Sequence, residues 1–398
     1  KTIQNNSKQF KTIQNNSKQF KTIQNNSKQF KTFYLSLSKI AFVIFLALFG
    51  CKEQSDPAPD SKESLNGQKS FNPYAGITVQ HGMLRFQNSV HLLQVLNQLD
   101  SEKELWNDNF QATWGSLDDD AYNAKAEQLN FDEDQPLKNF ESQFSLSSLR
   151  NKIYVEEDAW LDNTTLDPNT DPKSNTTIDG EIFQSVFNAQ GEMRVGDSIY
   201  VEKPYIDVLR TVGGGPNTKA LILIPNGDIT VLNQIRAKSF LTDADFTSSR
   251  GRVGAFYNKA KPVTDNYDKS ASGCKAYKKS DTPIDYDNGN KRYYVETKIR
   301  NYFIWSNVAA QTVSYKKRDN GKWRRWKTSI GVTIAGDVSN YDCTITGPFS
   351  TKEKLDKKRK SVSVRIVNFF IIVKAKNPYD VYSNHFCNGQ SQVWGIWW

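Results

Sequence analysis

Lys316, Lys317, Arg318, Lys322, Arg324, Arg325 and Lys327 crowd around an Asp319-Asn320-Gly321 turn, interleaved with Tyr315, Trp323 and Trp326. Aromatic faces stack on sugar rings while Lys and Arg meet acidic groups, so this mixture suits an anionic glycan. Single-stranded nucleic acid asks for similar chemistry. Six of the nine Trp follow residue 298, which concentrates aromatic character in the same stretch. The expected ligand-binding residues are therefore Lys316, Lys317, Arg318, Trp323, Arg324, Arg325 and Trp326. The same residues have a plain structural alternative. On paired strands Tyr315 and Trp323 can be cross-strand core, while Lys and Arg blunt exposed edges.

Other chemistry has less to build on. His81, His91 and His385 are the only histidines, and no His or Cys pair stands at zinc-ligand spacing, so neither a metal nor a cofactor is expected. There is no Gly-x-Ser-x-Gly elbow, phosphate loop or metalloprotease helix. Gly213-Gly214-Gly215-Pro216 lacks the neighbouring Lys-Ser or Lys-Thr that a phosphate cradle needs, and reads as a flexible connection. Glycoside hydrolysis needs two carboxylates facing each other across a cleft, and the sequence does not single out such a pair. Asp118-Asp119-Asp120 charges a helix start, where acids favour the dipole. Asp243 and Asp245 alternate without calcium-loop spacing. No catalytic residue is assigned.

One residue type points to an address. Leu48-Phe49-Gly50-Cys51 closes an apolar run from Ile40 to Gly50 that follows Lys31 and Lys39. The run is too short to span a bilayer but has the charged and apolar regions of a secretory signal. A small residue before cysteine has the form of a bacterial lipoprotein processing site, so the mature chain is expected to start at a lipidated Cys51. Export also makes nucleic acid the poorer partner. Cys274, Cys343 and Cys387 then allow at most one internal disulfide; all three pairings are open, with Cys343–Cys387 favoured because both lie in the expected β-domain.

Residues 1–30 are three identical copies of Lys-Thr-Ile-Gln-Asn-Asn-Ser-Lys-Gln-Phe, a unit too polar and of the wrong period to stack into a solenoid. The net charge of +9 is concentrated here, since residues 1–50 hold eight Lys and no acid. Beyond them the chain is polarised. Residues 51–250 carry 17 Lys plus Arg against 31 Asp plus Glu, or −14, and residues 251–398 carry 27 against 12, or +15. Such halves either attract separate partners or neutralise each other across an internal interface.

The elements that must position these residues fall into five segments. After the repeats and signal (1–50) comes a polar tether (51–72), a mainly helical subdomain (73–161), a hairpin and meander region (162–270) and a C-terminal β-domain (271–398). Ile77–Phe86 reads as a strand. Leu92, Leu96 and Leu99 share a helical face, and Ser101 with Glu104 has the capping-box spacing of a new helix start. Further helices are expected over 119–129, from Pro136, and over 147–160. Phe183–Phe187 leads into a meander of short strands through 192–201. Ala220–Ile224 and Ile229–Leu232, joined by Pro225-Asn226-Gly227-Asp228, predict a hairpin. From Lys291 the chain reads as strands at 293–299, 303–315, 323–334, 341–346 and 361–374, with Lys352–Lys360 as a solvated loop. The fold class is thus α+β, with a C-terminal antiparallel β-sandwich or jelly roll.

Gly82-Met83-Leu84-Arg85-Phe86, Gln135-Pro136-Leu137 with Phe140-Glu141, Ser148-Leu149-Arg150, Asn188-Ala189-Gln190-Gly191-Glu192 and Val195-Gly196-Asp197-Ser198-Ile199-Tyr200 carry a resemblance. Tyr315-Lys316-Lys317 with Gly321-Lys322-Trp323 continues it. Over most of residues 77–335 the chain resembles a family of exported Bacteroidetes lipoproteins of unknown function. The resemblance brings no catalytic residues. Glu53 and Asp56 after the cysteine are similar to signals that send such lipoproteins to the outer surface. The expected protein is a lipid-anchored outer-membrane protein facing the cell surface, with a binding or structural role toward an anionic polysaccharide or an envelope protein. A polysaccharide hydrolase and a non-catalytic subunit of an envelope assembly are the alternatives.

Overall fold

A computed structural model describes residues 72–163, 170–178, 180–206, 219–246, 254–256, 259–262, 280–286, 289–301, 305–339, 346–369, 381–387 and 390–395. The decapeptide repeats, Cys51, nearly all of the tether, the glycine run at 213–215, Cys274 and Cys343 lie outside the described residues. The folded body occupies the unit Phe71–Trp398. Among the described residues no helix is long and apolar enough to cross a membrane.

The body opens on a hairpin of β1 (Thr78–Gln80) and β2 (Met83–Phe86), where a single strand was expected. His81 and Gly82 take φ values of 52° and 76°, and that pair makes the turn. Among the described residues five α-helices follow: α1 (Ser89–Trp114), α2 (Asp119–Gln128), α3 (Gln135–Gln143), α4 (Leu149–Leu161) and α5 (Glu181–Val186). Asn88, Asp118 and Ser148 accept amide hydrogens at the starts of α1, α2 and α4. The capping box expected at Ser101 is not used. Helix α1 runs straight through it because Leu92, Val95, Leu96 and Leu99 continue into Phe110 on a buried side, and Glu104 is drawn outward to a basic strand.

Strands β3 (Glu192–Val195), β4 (Ser198–Ile206), β5 (Lys219–Ile224), β6 (Leu241–Thr242) and β7 (Lys261–Pro262) complete a seven-stranded sheet of order β1-β2-β3-β4-β5-β7, with β6 beside β4. Strand β2 pairs parallel with β3, so helices α1–α5 form the crossover between them. Segments 73–161 and 162–270 therefore contribute strands to one sheet. Alternate residues feed its two faces. Leu84, Met193, Tyr200, Leu221 and Leu223 pack on the crossover helices, while Met83, Ile199, Ala220, Ile222 and Ile224 pack on α6 (Ile229–Ala237). Burial on both faces explains the unbroken apolar run in β5.

Two expected strands are helices. Residues 229–232 open α6: Asn226 and Gly227 take the positive φ values expected of them, 75° and 59°, but Asp228 then accepts the amides of Thr230 and Val231 and starts a helix whose Val231, Leu232 and Ile235 are buried. Residues 182–186 in α5 are buried on every side. A run covered all round has no periodicity from which to tell helix from strand.

The last third is a sandwich of two antiparallel sheets. One holds β8 (Ser280–Tyr286), β9 (Lys291–Asn301), β10 (Trp305–Lys317), β11 (Trp323–Arg325) and β14 (Ser361–Phe369), with β10 central; β11 and β14 both pair with it. The other runs β13-β12-β15-β16, from β12 (Thr328–Ser339), β13 (Thr346–Arg359), β15 (Val381–Cys387) and β16 (Gln390–Gly395). Tyr293, Val308, Ala310, Ile330, Val332, Ile334, Val362, Val364 and Val381 fill the space between. The expected strand 323–334 is two strands, because Trp326 turns inward and its amide bonds the Ser314 carbonyl. Residues 352–359, expected in a solvated loop, are strand β13. Cys387 is a free thiol on β15, pushed by burial up to about 12, and its expected partner Cys343 lies outside the described residues.

Candidate functional site

The basic residues singled out in the sequence lie on a seam between the helices and the sandwich. Lys316 Nζ is 2.6 Å from Asp120, and Arg324 is 3.2 Å from Glu127, both on α2. Arg325 reaches α4, where its guanidinium lies 2.6 Å from Glu157 and 2.5 Å from Asp158. Trp323 and Trp326 are 4% and 3% exposed. Their partners are cations of the same chain: Lys316 and Arg324 lie 4.2 and 4.5 Å from the Trp326 ring centroid, Arg292 and Lys317 5.1 and 5.6 Å from that of Trp323. The basic–aromatic interleaving is an internal cation–π ladder. Of these seven expected ligand-binding residues, both Trp rings are covered and Lys316, Arg324 and Arg325 meet acids. Of the seven, Lys317 and Arg318, at the β10–β11 turn, have no ion pair with a described residue. Neighbouring Lys322 lies 3.4 Å from Asp162, both partly exposed.

The second basic run does the same work against α1. Asp100, Glu104 and Asp108 recur every four residues along one helix face. Lys354 meets Asp100 and Glu104 at 3.4 and 2.8 Å, Lys357 meets Asp108 at 2.7 Å, and Arg359 bridges Glu104 and Asp108 at 2.7 and 2.6 Å. Lys354 and Lys357, three apart, would fall on opposite faces of a regular strand. A break in the β12–β13 register, with Asp356 at φ 52°, brings both to the helix, and the Asp356 carbonyl accepts from Gln111. Burial alone would raise the Glu104 pKa, but Lys354 and Arg359 outweigh it and hold the carboxyl down at about 2. Its contribution to stability is thus complete above about 4.5 and lost as pH falls toward 2. Replacing Glu104→Gln is expected to cost about 1–2 kcal/mol at pH 7, a difference that closes by pH 2. Denaturant titrations at several pH values measure it.

Deeper in the seam the charges are sealed. Asp134 takes Lys103 at 2.7 Å and Lys360 at 2.8 Å, Lys103 also pairs with Glu181, and the Lys360 amide donates to Glu133. Burial opposes the Asp134 charge, yet the two ammonium groups hold its carboxyl well below the usual range; Glu133, buried without a comparable partner, is pushed up. On α4, Glu157 accepts Arg325, Lys173 at 2.9 Å and the Tyr315 hydroxyl at 3.0 Å. Lys173 and Arg325 overcome its burial and lower it to about 2. Asp171, whose carboxylate caps Lys173 N at 2.8 Å, is raised to about 6 by burial, against Lys173 and with help from Glu157. Carboxyls pushed apart in this way are the signature of an acid–base pair. Here each is 1% exposed, which closes them to a polysaccharide chain.

A second set of reactive groups sits inside the sandwich. Ser383 Oγ lies 2.7 Å from His385 Nε2, and Thr312 Oγ1 lies 2.8 Å from Nδ1. All three are buried, and burial lowers the imidazole pKa to about 3 despite nearby Glu296. His91 bonds the Pro73 carbonyl at 2.8 Å, and Asp243 and Asp245 are held by Tyr205 and Lys238. Among the described residues no group of His, Cys, Asp and Glu could hold a metal ion.

The opposed charges of the halves foreshadowed the seam; the four-residue spacing of Asp100, Glu104 and Asp108 is a signal that the capping-box reading of Glu104 passed over. Glu157, Asp171 and Ser383 had no such signal, because nothing local marks a polar residue that a distant element will cover.

No protein-family model matches the chain, and no curated protein matches it. Among solved structures it is similar to a DUF4848 family protein from Bacteroides thetaiotaomicron VPI-5482. The likeness has 11% identity, covers 80% of this chain and 98% of that chain, and has a TM-score of 0.18.

Proposed function

We propose that this is an exported, lipid-anchored envelope protein with a binding or structural role, carried on Cys51 at the outer membrane and facing the cell surface. The observation that supports a structural part is the seam. Acidic helices and basic strands that could each have recruited a separate partner are fastened to one another, giving a braced body behind a polar tether. The same pairing gives less support to an assembly role through opposed surface charges. The glycan-binding part narrows to the turn beyond the seam, where Lys317, Arg318 and Lys322 offer charge to an acidic polysaccharide.

Metabolic labelling with a fatty-acid analogue tests the anchor. Label is expected in the wild-type chain and not in Cys51→Ala; equal label in both overturns lipidation. Protease applied to intact cells is expected to remove the body, and full protection would place it on the inner side. An acidic-glycan array at low salt tests the turn, with binding expected to fall at least tenfold in Lys317→Ala with Arg318→Ala. Unchanged binding removes the turn as the site.

A further inference from the structure

The polar set inside the sandwich runs from one sheet to the other and back. Thr297 on β9 and Thr312 on β10 belong to the first sheet; Ser383 and His385 on β15 and Gly331 on β12 belong to the second. Thr312 Oγ1 donates to the Gly331 carbonyl at 3.1 Å. A carbonyl only accepts, so the Thr312 hydroxyl has no second hydrogen for the imidazole, and its oxygen must accept from Nδ1–H. A neutral imidazole carries one N–H, which leaves Nε2 bare. The Ser383 hydroxyl, 2.7 Å away, then donates to Nε2, and its oxygen accepts from Thr297. The Thr297 hydroxyl also lies 3.4 Å from Nε2, but the shorter Ser383 contact takes that nitrogen and Thr297 gives its hydrogen to Ser383, so the chain runs in one direction.

We propose that Thr297, Ser383, His385 and Thr312 form a one-way hydrogen-bond chain that fixes His385 as the Nδ1–H tautomer and keys β15 into its register. A key is needed because of the strand's pattern. Val381, Ser383 and His385 alternate inward opposite Gly336, Ile334 and Val332. A slip of two residues preserves that alternation, so hydrophobic burial opposes it weakly. The chain opposes it strongly: a two-residue slip carries the imidazole away from Thr312 and leaves Nδ1–H buried without an acceptor. Ser383 has a nucleophile's hydrogen bond, but with no exposure it serves the fold.

Imidazole nitrogen NMR on the full chain with labelled histidine tests the assignment, with His385 identified among three histidines by its loss in His385→Gln. A proton on Nδ1 and a bare Nε2 are expected. A proton on Nε2, or averaging between the two, overturns the chain. Thr312→Val keeps the shape and removes the acceptor; the proton is then expected to redistribute toward Nε2, and a second set of β15 amide signals to appear. Thr312→Ser restores the hydroxyl and is expected to restore single signals. A single wild-type set of β15 signals in Thr312→Val overturns the register role.

Discussion

Replacing Arg325→Ala is expected to destabilise the protein by about 3–5 kcal/mol at neutral pH, the cost of leaving an ionised carboxylate buried without one of its two cationic partners. Arg325 donates to Glu157 through Nε at 3.1 Å and Nη2 at 2.6 Å, and its guanidinium stacks 3.9 Å from the Tyr154 ring centroid. Lys173 stays beside Glu157, but one ammonium must then offset a carboxylate 1% exposed. Combining Arg325→Ala with Glu157→Gln removes the stranded charge and is expected to recover a large share of the loss. Chemical denaturation of the four members of this cycle measures the coupling. A loss below about 1 kcal/mol in the single variant, the range of an exposed pair, would mean that the seam is open to water there.

Asp171→Asn is expected to work in the opposite direction and stabilise the protein at pH 7.5 by about 2–3 kcal/mol. The carboxyl pKa is about 6 in the folded chain against an ordinary 3.8, so above pH 6 folding must hold a charge that its surroundings disfavour. That cost is present at neutral pH and relieved as pH falls from 6 toward 3.8. The wild type should therefore gain on the variant across that window, and the two should converge near pH 4. Asparagine keeps an oxygen for the Lys173 amide, so the cap survives. Melting temperatures from pH 8 to pH 4 provide the comparison. A variant less stable than wild type at pH 7.5 would assign Asp171 a net favourable ion pair. Glu157 titrates in a lower window, its stabilisation present above about 4.5 and lost toward 2, which overlaps that of Asp171 only between about 4.5 and 3.8, so readings above pH 4.5 report Asp171.

These effects show where sequence patterns inform and where they stop. Helices α2 and α4, the meander at β3 and β4, and strands β9, β10 and β14 of the sandwich follow from local periodicity and capping residues, whereas β8, β15 and β16 drew no expectation and most of β13 was expected as a loop. The crossover from β2 to β3 does not, because parallel pairing across about a hundred residues leaves no local trace. Asn226-Gly227 carried a true turn signal, yet Asp228 converts the exit into a helix. The basic–aromatic cluster was legible as chemistry, but its partner was not: Lys316, Arg324 and Arg325 have the same composition whether they face a glycan or Asp120, Glu127 and Glu157. Only the fold decides which acid arrives.

The register break at Asp356 sets what length changes the seam can tolerate. Four residues of helix advance about 6 Å, and two residues of strand about 6.8 Å, so acids along α1 and bases along β13 drift apart like two rulers of unequal pitch. One extra residue resets the strand's parity midway and lets both rulers be read together. Deleting it would turn Lys354 away from Glu104 while Lys357 and Arg359 stayed in place. Chain length, more than charge, is thus the quantity that this edge of the sandwich must conserve.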